Sequence, residues 1–326
     1  MSFYRPEQKW YGDSLVFDPA EGETVIAPPS EGEGYWAGAP SVLYDVETSR
    51  FYLSYRLRKP RPVRGGECYV AESTDGVNFS TIWSSTKEAF DSASVERFSL
   101  TKALDGRWLL YPSYVDPADN RWRIDVIEAA SPSEFDVAKR RKVFTADDVG
   151  VEGVKDPWVM IVNGMYYMLI SYAMRLDVDE SQTERMHATG DIYNTGLTLS
   201  SSALAVSGDG LQYEWLGDIF APRQSGWDGY AARLGCLVPT ASGWMGYYDG
   251  SASVEGNYEE RTGLVHSWDL HRFYRLTPDG PRLVSPHGSG SLRYIDAVVF
   301  DDEVWFYYEY ARADGSHELR LNRVKR

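Results

Sequence analysis

The chain has 326 residues, 43% of them hydrophobic and 14% aromatic, which is ample material for a packed core. A formal net charge of −15 excludes nucleic acid as a partner, because gripping a polyphosphate takes a basic stripe. No window approaches the roughly 18 apolar residues of a membrane span, and Met1-Ser-Phe-Tyr-Arg-Pro has no apolar run of a secretory signal, so the sequence implies a cytoplasmic protein without membrane contact.

In chain order, an aromatic-rich strand recurs five times: Phe51–Tyr55, Trp108–Tyr114, Tyr166–Tyr172, Trp244–Tyr248 and Trp305–Glu309, with starts 57, 58, 78 and 61 residues apart. Each follows an apolar strand and a tight turn. Repetition at this period in an all-β chain predicts a five-bladed β-propeller, one domain over residues 1–326 with blades starting near 35, 94, 151, 227 and 291. The turn signal Ser73-Thr-Asp-Gly recurs as Ser131-Pro-Ser-Glu, Ser207-Gly-Asp-Gly and Ser267-Trp-Asp-Leu, and acts as a ruler for the register. Blade five lacks a fourth strand after Arg326, so Ser14–Phe17 or Thr24–Ala27 is expected to join the last blade and close the ring. The 78-residue interval holds Met174–Asn194, polar and punctuated by Gly190, which reads as a lid or binding loop.

Cys68 and Cys236 fall in strands of different blades with no paired spacing, and read as buried thiols; five scattered His show no metal-ligand spacing. The sequence calls for no cofactor and no catalytic metal, and leaves room for a structural cation on the propeller axis.

The first strand of each blade lines the axis. Aligned by the turn that follows, Ala39, Arg97, Asp156, Arg233 and Asp296 occupy equivalent places, four of the five charged. Such charges are costly unless paired or solvated, so they form either a charge-balanced plug or a polar active site. Asp156 precedes Pro157, which favours an extended backbone. Asp156 and Asp296 are expected to face each other across the axis as the two carboxyl groups of glycoside hydrolysis, with Glu152, Asp228, Asp249 and Glu309 as reserve carboxylates on the same rim. Expected sugar contacts are Tyr35 and Trp36, with Trp36 exposed beside Gly34 and Gly38, then Arg56, Arg58, Arg97, Trp122, Arg233, Asp249 and Glu309.

The motif Glu152-Gly-Val-Lys-Asp-Pro-Trp158 followed by Asn163-Gly-Met-Tyr-Tyr-Met168 resembles the blade-three signature of the five-bladed propeller glycosidases, the superfamily of glycoside hydrolase families 32, 43, 62, 68 and 130. In the mannoside phosphorylase family the matching run is Glu-Asp-Pro-Arg, with the Asp as proton donor. The resemblance therefore implies that role for Asp156, while Lys155 and Trp158 depart from the pattern. The arabinanase and xylosidase family opens blade one with Asp-Pro, its Asp the general base; this chain has Ala39-Pro40 instead. Trp10-Tyr-Gly-Asp13 is more distantly similar to the invertase-type nucleophile motif and makes Asp13 a rim candidate. The expected function is hydrolysis of a small oligosaccharide or glycoside in the axial pocket, Asp156 the general acid and Asp296 the base. A mannoside-phosphorylase-like activity and a non-catalytic carbohydrate-binding propeller stand as alternatives, and the partner in every case is a small carbohydrate.

Overall fold

The computed structural model describes the backbone of residues 2–5 and 10–13 and all of residues 15–326. Among these, apart from a short hairpin pairing Ser2–Arg5 with Trp10–Asp13, the strands fall into five consecutive antiparallel groups. The first comprises Trp36–Asp45, Arg50–Lys59, Arg64–Ser73 and Ser80–Thr86. The second comprises Ser99–Lys102, Trp108–Tyr111 continued by Ser113–Val115, Trp122–Ala129 and Arg141–Phe144. The third comprises Gly153–Val162, Met165–Ala173, Ser200–Ser207 and Glu214–Phe220. The fourth comprises Ala231–Thr240, Gly243–Ser251, Arg261–Ser267 and Tyr274–Arg275. The fifth comprises Leu292–Val299, Glu303–Ala311 and His317–Lys325, beside which Glu23–Ile26 pairs antiparallel as a fourth strand.

Burial explains why the second strands carry the aromatic signal. They are covered on both faces, so they read as continuous apolar runs such as Phe51–Tyr55. The outermost strands are more open, and Glu214–Phe220 alternates between exposed and half-buried before its buried last residue. Neighbouring groups pack face to face, Tyr52 against Trp108 and Tyr247 against Phe306. The tyrosine hydroxyls also lock groups together: Tyr111 donates to the carbonyl of Gly210 in the third group and Tyr307 to that of Gly76 in the first. That second bond, with the parallel bridge between Trp36 and His317, joins the fifth group to the first.

The serine–aspartate ruler works as its chemistry requires. Ser73 Oγ accepts the N–H groups of Asp75 and Gly76, and Asp75 Oδ1 accepts those of Val77 and Asn78. Ser207 and Asp209 repeat the pattern. The residue after the aspartate has positive φ, +73° at Gly76 and +74° at Gly210, where a Cβ would strike the adjoining group.

The long interval in the third group is ordered. Asp179 and Gln182 form a capping box that starts the helix Glu180–Ala188, and Met186, Ile192 and Tyr193 bury against Val115 and Trp122. Cys68 and Cys236 are both free and buried. Of the two expected closing segments, the one at Thr24–Ala27 pairs with the last group, whereas Leu15–Phe17 form no strand and Ser14 lies outside the described residues. No helix among the described residues is long and apolar enough to cross a membrane.

Because Tyr307 is buried and its hydroxyl partners a buried carbonyl, Tyr307→Phe is expected to lower stability by about 1 kcal/mol. Urea unfolding checks it, and an unchanged midpoint would show that the hydroxyl does not lock the two groups.

Candidate functional site

A bulge in the first strand of four of the five groups decides what faces the axis. The register with the second strand jumps between Gly38 and Ser41, Lys155 and Trp158, Leu234 and Cys236, and Arg293 and Asp296. The bulged residues Ala39, Asp156 and Tyr294 share a left-handed backbone, with φ of +52°, +53° and +53°. Asp156 is therefore not extended before Pro157, as its sequence suggests. The structural counterpart of Asp156 in the fifth group is Tyr294, and Asp296 corresponds to Trp158, two residues further along. Two positions of register separate the expected Asp156–Asp296 pair.

Asp296 belongs to a lower layer, beside a cleft of about 330 Å³ lined in part by Ser41, Trp158 and Ala297. Its Oδ2 accepts from the N–H of Val42 at 2.8 Å, and its Oδ1 from Trp158 Nε1 at 2.7 Å and from the N–H of Ala297 at 2.8 Å. Burial, against the opposing pull of Arg97, raises its carboxyl above the usual range. Arg97 spends its Nε and Nη1 on the carbonyls of Pro40 and Gly235. Both are fixed to the surrounding backbone.

The upper layer gathers five cations and five acids in near-complete burial: Arg56, Arg58, Lys155, Arg233 and Arg293 against Glu96, Asp156, Asp249, Glu260 and Glu309. Arg56 Nε and Arg58 Nη1 hold the two oxygens of Glu96 at 2.7 and 2.8 Å. Arg293 clasps Glu309 Oε1 through Nε and Nη2 and reaches Glu260 with Nη1 at 2.8 Å. Arg233 Nη2 stands against Glu260 Oε1. Burial would raise these acids, but the guanidinium groups outweigh it: Arg56 and Arg58 hold Glu96 at about 2, and Arg233 and Arg293 hold Glu260 at about 2. Glu309 is likewise held well below the ordinary range by Arg293, Arg56 and His317. Asp249 behaves differently, because burial exceeds the pull of Arg233 and raises it to about 7.

Tyr294 is the hub of this layer. Its hydroxyl donates to Asp156 Oδ2 at 3.1 Å, and its N–H faces both oxygens of Asp249 at 3.1 and 3.2 Å. The guanidinium carbons of Arg293 and Arg56 lie 4.9 and 5.9 Å from its ring centroid. Lys155 Nζ sits 3.2 Å from Asp156 Oδ2. Asp156 Oδ1 is buried with no partner, as are Arg56 Nη1 and Nη2 and Arg233 Nε, Nη1 and Nη2, which lack hydrogen-bond geometry even where an acid is near. Buried polar groups without a protein partner are met by ordered water or by a ligand.

The remaining expected residues have other places. Glu152 ties down the long interval: its oxygens take Arg175 Nε at 2.9 Å and His187 Nε2 at 2.7 Å, and these contacts hold it below the usual range despite its burial. Asp228 is clamped by Arg223, Arg275 and the Tyr248 hydroxyl. Trp36 is buried, not exposed: it stacks on His317 at 4.5 Å between centroids, with Arg58 and Arg293 each 4.9 Å from its ring. Tyr35 is half-buried, and its carbonyl accepts from the N–H of His317. Trp122 is wall, 1% exposed, with Lys155 Nζ 5.3 Å from its ring. The side chain of Asp13 lies outside the described residues. Sequence reasoning missed Glu96, Glu260, Arg293, Tyr294 and Tyr258. Arg293 and Tyr294 fall inside the fifth blade expected from near residue 291, but nothing local marks them as axial.

Tyr258 roofs the layer. It has φ of +76°, its hydroxyl donates to Asp191, and Arg58 lies 4.5 Å from its ring. Above it opens a cleft of about 450 Å³ lined in part by Trp36, Arg58, Arg61, Asn257 and Glu259.

No family model matches the sequence, and no curated protein matches it either. Solved structures do. One is β-1,2-mannobiose phosphorylase from Listeria innocua in complex with β-1,2-mannobiose, 16% identical, with a TM-score of 0.61 over 93% of this chain and 94% of that one. Another is described under the mannoside phosphorylases of glycoside hydrolase family 130, a family containing glycoside hydrolases that target β-1,2-mannosidic linkages in Candida mannan; it is 15% identical, with a TM-score of 0.60 over 98% and 88%. A third is a glycosyl hydrolase from Bacteroides ovatus, 16% identical, with a TM-score of 0.60 over 99% and 90%. At such identities the likeness is one of fold: the chain has the mostly-β propeller fold of these glycoside hydrolases and phosphorylases.

The acids of the upper layer set a pH profile. Glu96 and Glu260, depressed from 4.5 to about 2, contribute stability above pH 4.5 that is lost as pH falls toward 2. Asp249, raised from 3.8 to about 7, contributes in the opposite sense, fully below pH 3.8 and vanishing as pH rises through 7. Asp249→Asn is therefore expected to flatten the decline in stability between about pH 4 and 7 and to leave the acid limb intact. Denaturant unfolding across that range checks it; an unaltered slope in the variant would contradict the assignment.

Proposed function

We propose that the five antiparallel groups are five blades around one axis, that Glu23–Ile26 closes the ring, and that residues 1–326 form a single domain whose upper axial layer processes a small glycoside. The reading that fits best is hydrolysis of a glycosidic bond, with Asp156 as proton donor. The observation that carries it is the state of Asp156: Lys155 and Tyr294 fix its Oδ2, and its Oδ1 is buried without a partner. A buried, partnerless oxygen on a carboxyl group is costly to maintain, and a left-handed non-glycine backbone adds strain at the same residue. Both make sense where that oxygen meets the leaving oxygen of a bound glycoside.

The second carboxyl group is assigned to Asp249 in place of Asp296. Asp249 shares the hub residue Tyr294 with Asp156, and a carboxyl near 7 suits proton abstraction from water around neutral pH. Asp296 has donors on both oxygens in the lower layer. In this scheme water attacks the anomeric carbon as Asp249 takes its proton, the bond to the leaving oxygen breaks, and Asp156 protonates that oxygen. Ala39 stands where the third left-handed bulge falls, so the first group supplies no acid there.

The fold similarity supports carbohydrate as the partner class. Phosphorolysis is the alternative, in which phosphate takes the place of water.

Asp156→Asn is expected to lower turnover on a glycoside panel by about a thousandfold while leaving ligand binding intact. The same panel with and without phosphate separates hydrolysis from phosphorolysis. Turnover within tenfold of wild type would remove Asp156 from the mechanism, and binding without turnover in the wild-type protein would make the chain a carbohydrate-binding module.

A further inference from the structure

The unmet hydrogen-bonding groups of the upper layer are lopsided. Arg56 and Arg233 are 0% and 2% exposed; Arg56 Nη2 stands 3.2 Å from Glu309 Oε2 and Arg233 Nη2 against Glu260 Oε1, while Arg56 Nη1 and Arg233 Nε and Nη1 have no acceptor. Facing these is one partnerless acid oxygen, Asp156 Oδ1. A neutral sugar, whose hydroxyls both donate and accept, answers a balanced set of partners. A set weighted toward donors in planar forks answers an oxyanion. The Arg56 guanidinium lies 5.9 Å from the ring of Tyr294, whose hydroxyl holds Asp156, and Arg233 interacts electrostatically with Asp156, so both belong to the surroundings of that carboxyl group.

We propose that the sugar taken in this layer carries a carboxylate, and that the guanidinium groups of Arg56 and Arg233 receive it. This rests on the reading of the layer as a glycoside site and adds its substrate class, a glycoside of a sugar acid.

Charge balance favours a single negative charge. The five cations face five acids, with His317 shared between Glu309 and Glu259 as a further internal pair. With Asp156 carrying the proton it donates and Asp249 ionised as the base, five cations face four carboxylates and the layer holds one cation in excess. One carboxylate neutralises that excess; a phosphate dianion overshoots it in a site with little water to screen the surplus. Arg56 also pairs with Glu96 and Glu309, and Arg233 with Glu260, but each keeps guanidinium nitrogens without an acceptor, whereas Arg58 is spent on Glu96, Lys155 on Asp156, and Arg293 on Glu260 and Glu309.

The test is calorimetric titration of the intact protein with D-glucuronate, D-galacturonate and their methyl glycosides, set against D-glucose, D-galactose and inorganic phosphate. At least one acid is expected to bind about tenfold or more tightly than its neutral counterpart. Arg56→Lys and Arg233→Lys keep the charge but lose the fork, and each is expected to reduce that preference to within about threefold, with unchanged circular dichroism confirming the fold. Equal binding of acids and neutral sugars, tighter binding of phosphate at the same site, an undiminished preference in both lysine variants, or no binding by any acid would overturn the proposal. The wild-type titration decides even if a variant fails to fold. Turnover of neutral glycosides without any acid preference would sink this inference alone; acid binding with no glycoside turned over would sink the hydrolase reading alone.

Discussion

The structure depends on mutual neutralisation of buried charge on one axis. Five cations and five acids share the upper layer, and no member is tolerable there by itself. Glu96 stays ionised because Arg56 and Arg58 hold one oxygen each, and Glu309 because Arg293 and His317 converge on Oε1. The pairings tie second strands to first strands and one group to the next, so the layer fixes the angular relation of the groups while it shapes the site. The close fit extends to the backbone: a Cβ at Gly38 would fall 1.9 Å from Glu309 Oε2. Stability and site geometry are the same set of contacts.

The bulges are the second constraint. A regular strand alternates its side chains, so an axial position and the next but one point the same way. An inserted residue breaks that rule, rotating Asp156 and Tyr294 into the upper layer and leaving Trp158 and Asp296 to meet below it. The cost is a left-handed backbone at non-glycine residues, the kind of strain that collects at sites where a side chain must point in a particular direction. Around this layer the chain adds a roof from segments far apart in sequence: Tyr258, Asp191 and Arg58 meet over the axis.

Much of the fold was legible in the sequence because its cause is local. The aromatic second strands and the serine–aspartate turns each report on a few neighbouring residues, and both recur in step with the groups. Even the helix at Glu180–Ala188 carried a local mark in Asp179 and Gln182, hidden by the polarity of the surrounding segment. The site was less legible because a bulge leaves no compositional trace. Ala, Asp and Tyr occupy equivalent bulge positions, so Asp296 looked level with Asp156 when Tyr294 was its true counterpart. Trp36, flanked by glycines, looked exposed; the cover comes from His317, Arg58 and Arg293, which no sequence window contains together. Asp156 was found from a local signal, the Asp-Pro step, whereas its partners Tyr294 and Lys155 took their meaning only from three-dimensional register.

The central claim is that the partnerless groups of the upper layer await a sugar. Crystals soaked separately with D-glucuronate and D-mannose test it most directly. The account predicts a sugar oxygen within hydrogen-bond distance of Asp156 Oδ1 and a second contact to the Arg233 guanidinium, with Tyr258 displaced or re-seated above it. A sugar bound only at a remote surface, with the Arg56, Asp156 and Arg233 groups fully partnered by protein, would contradict it.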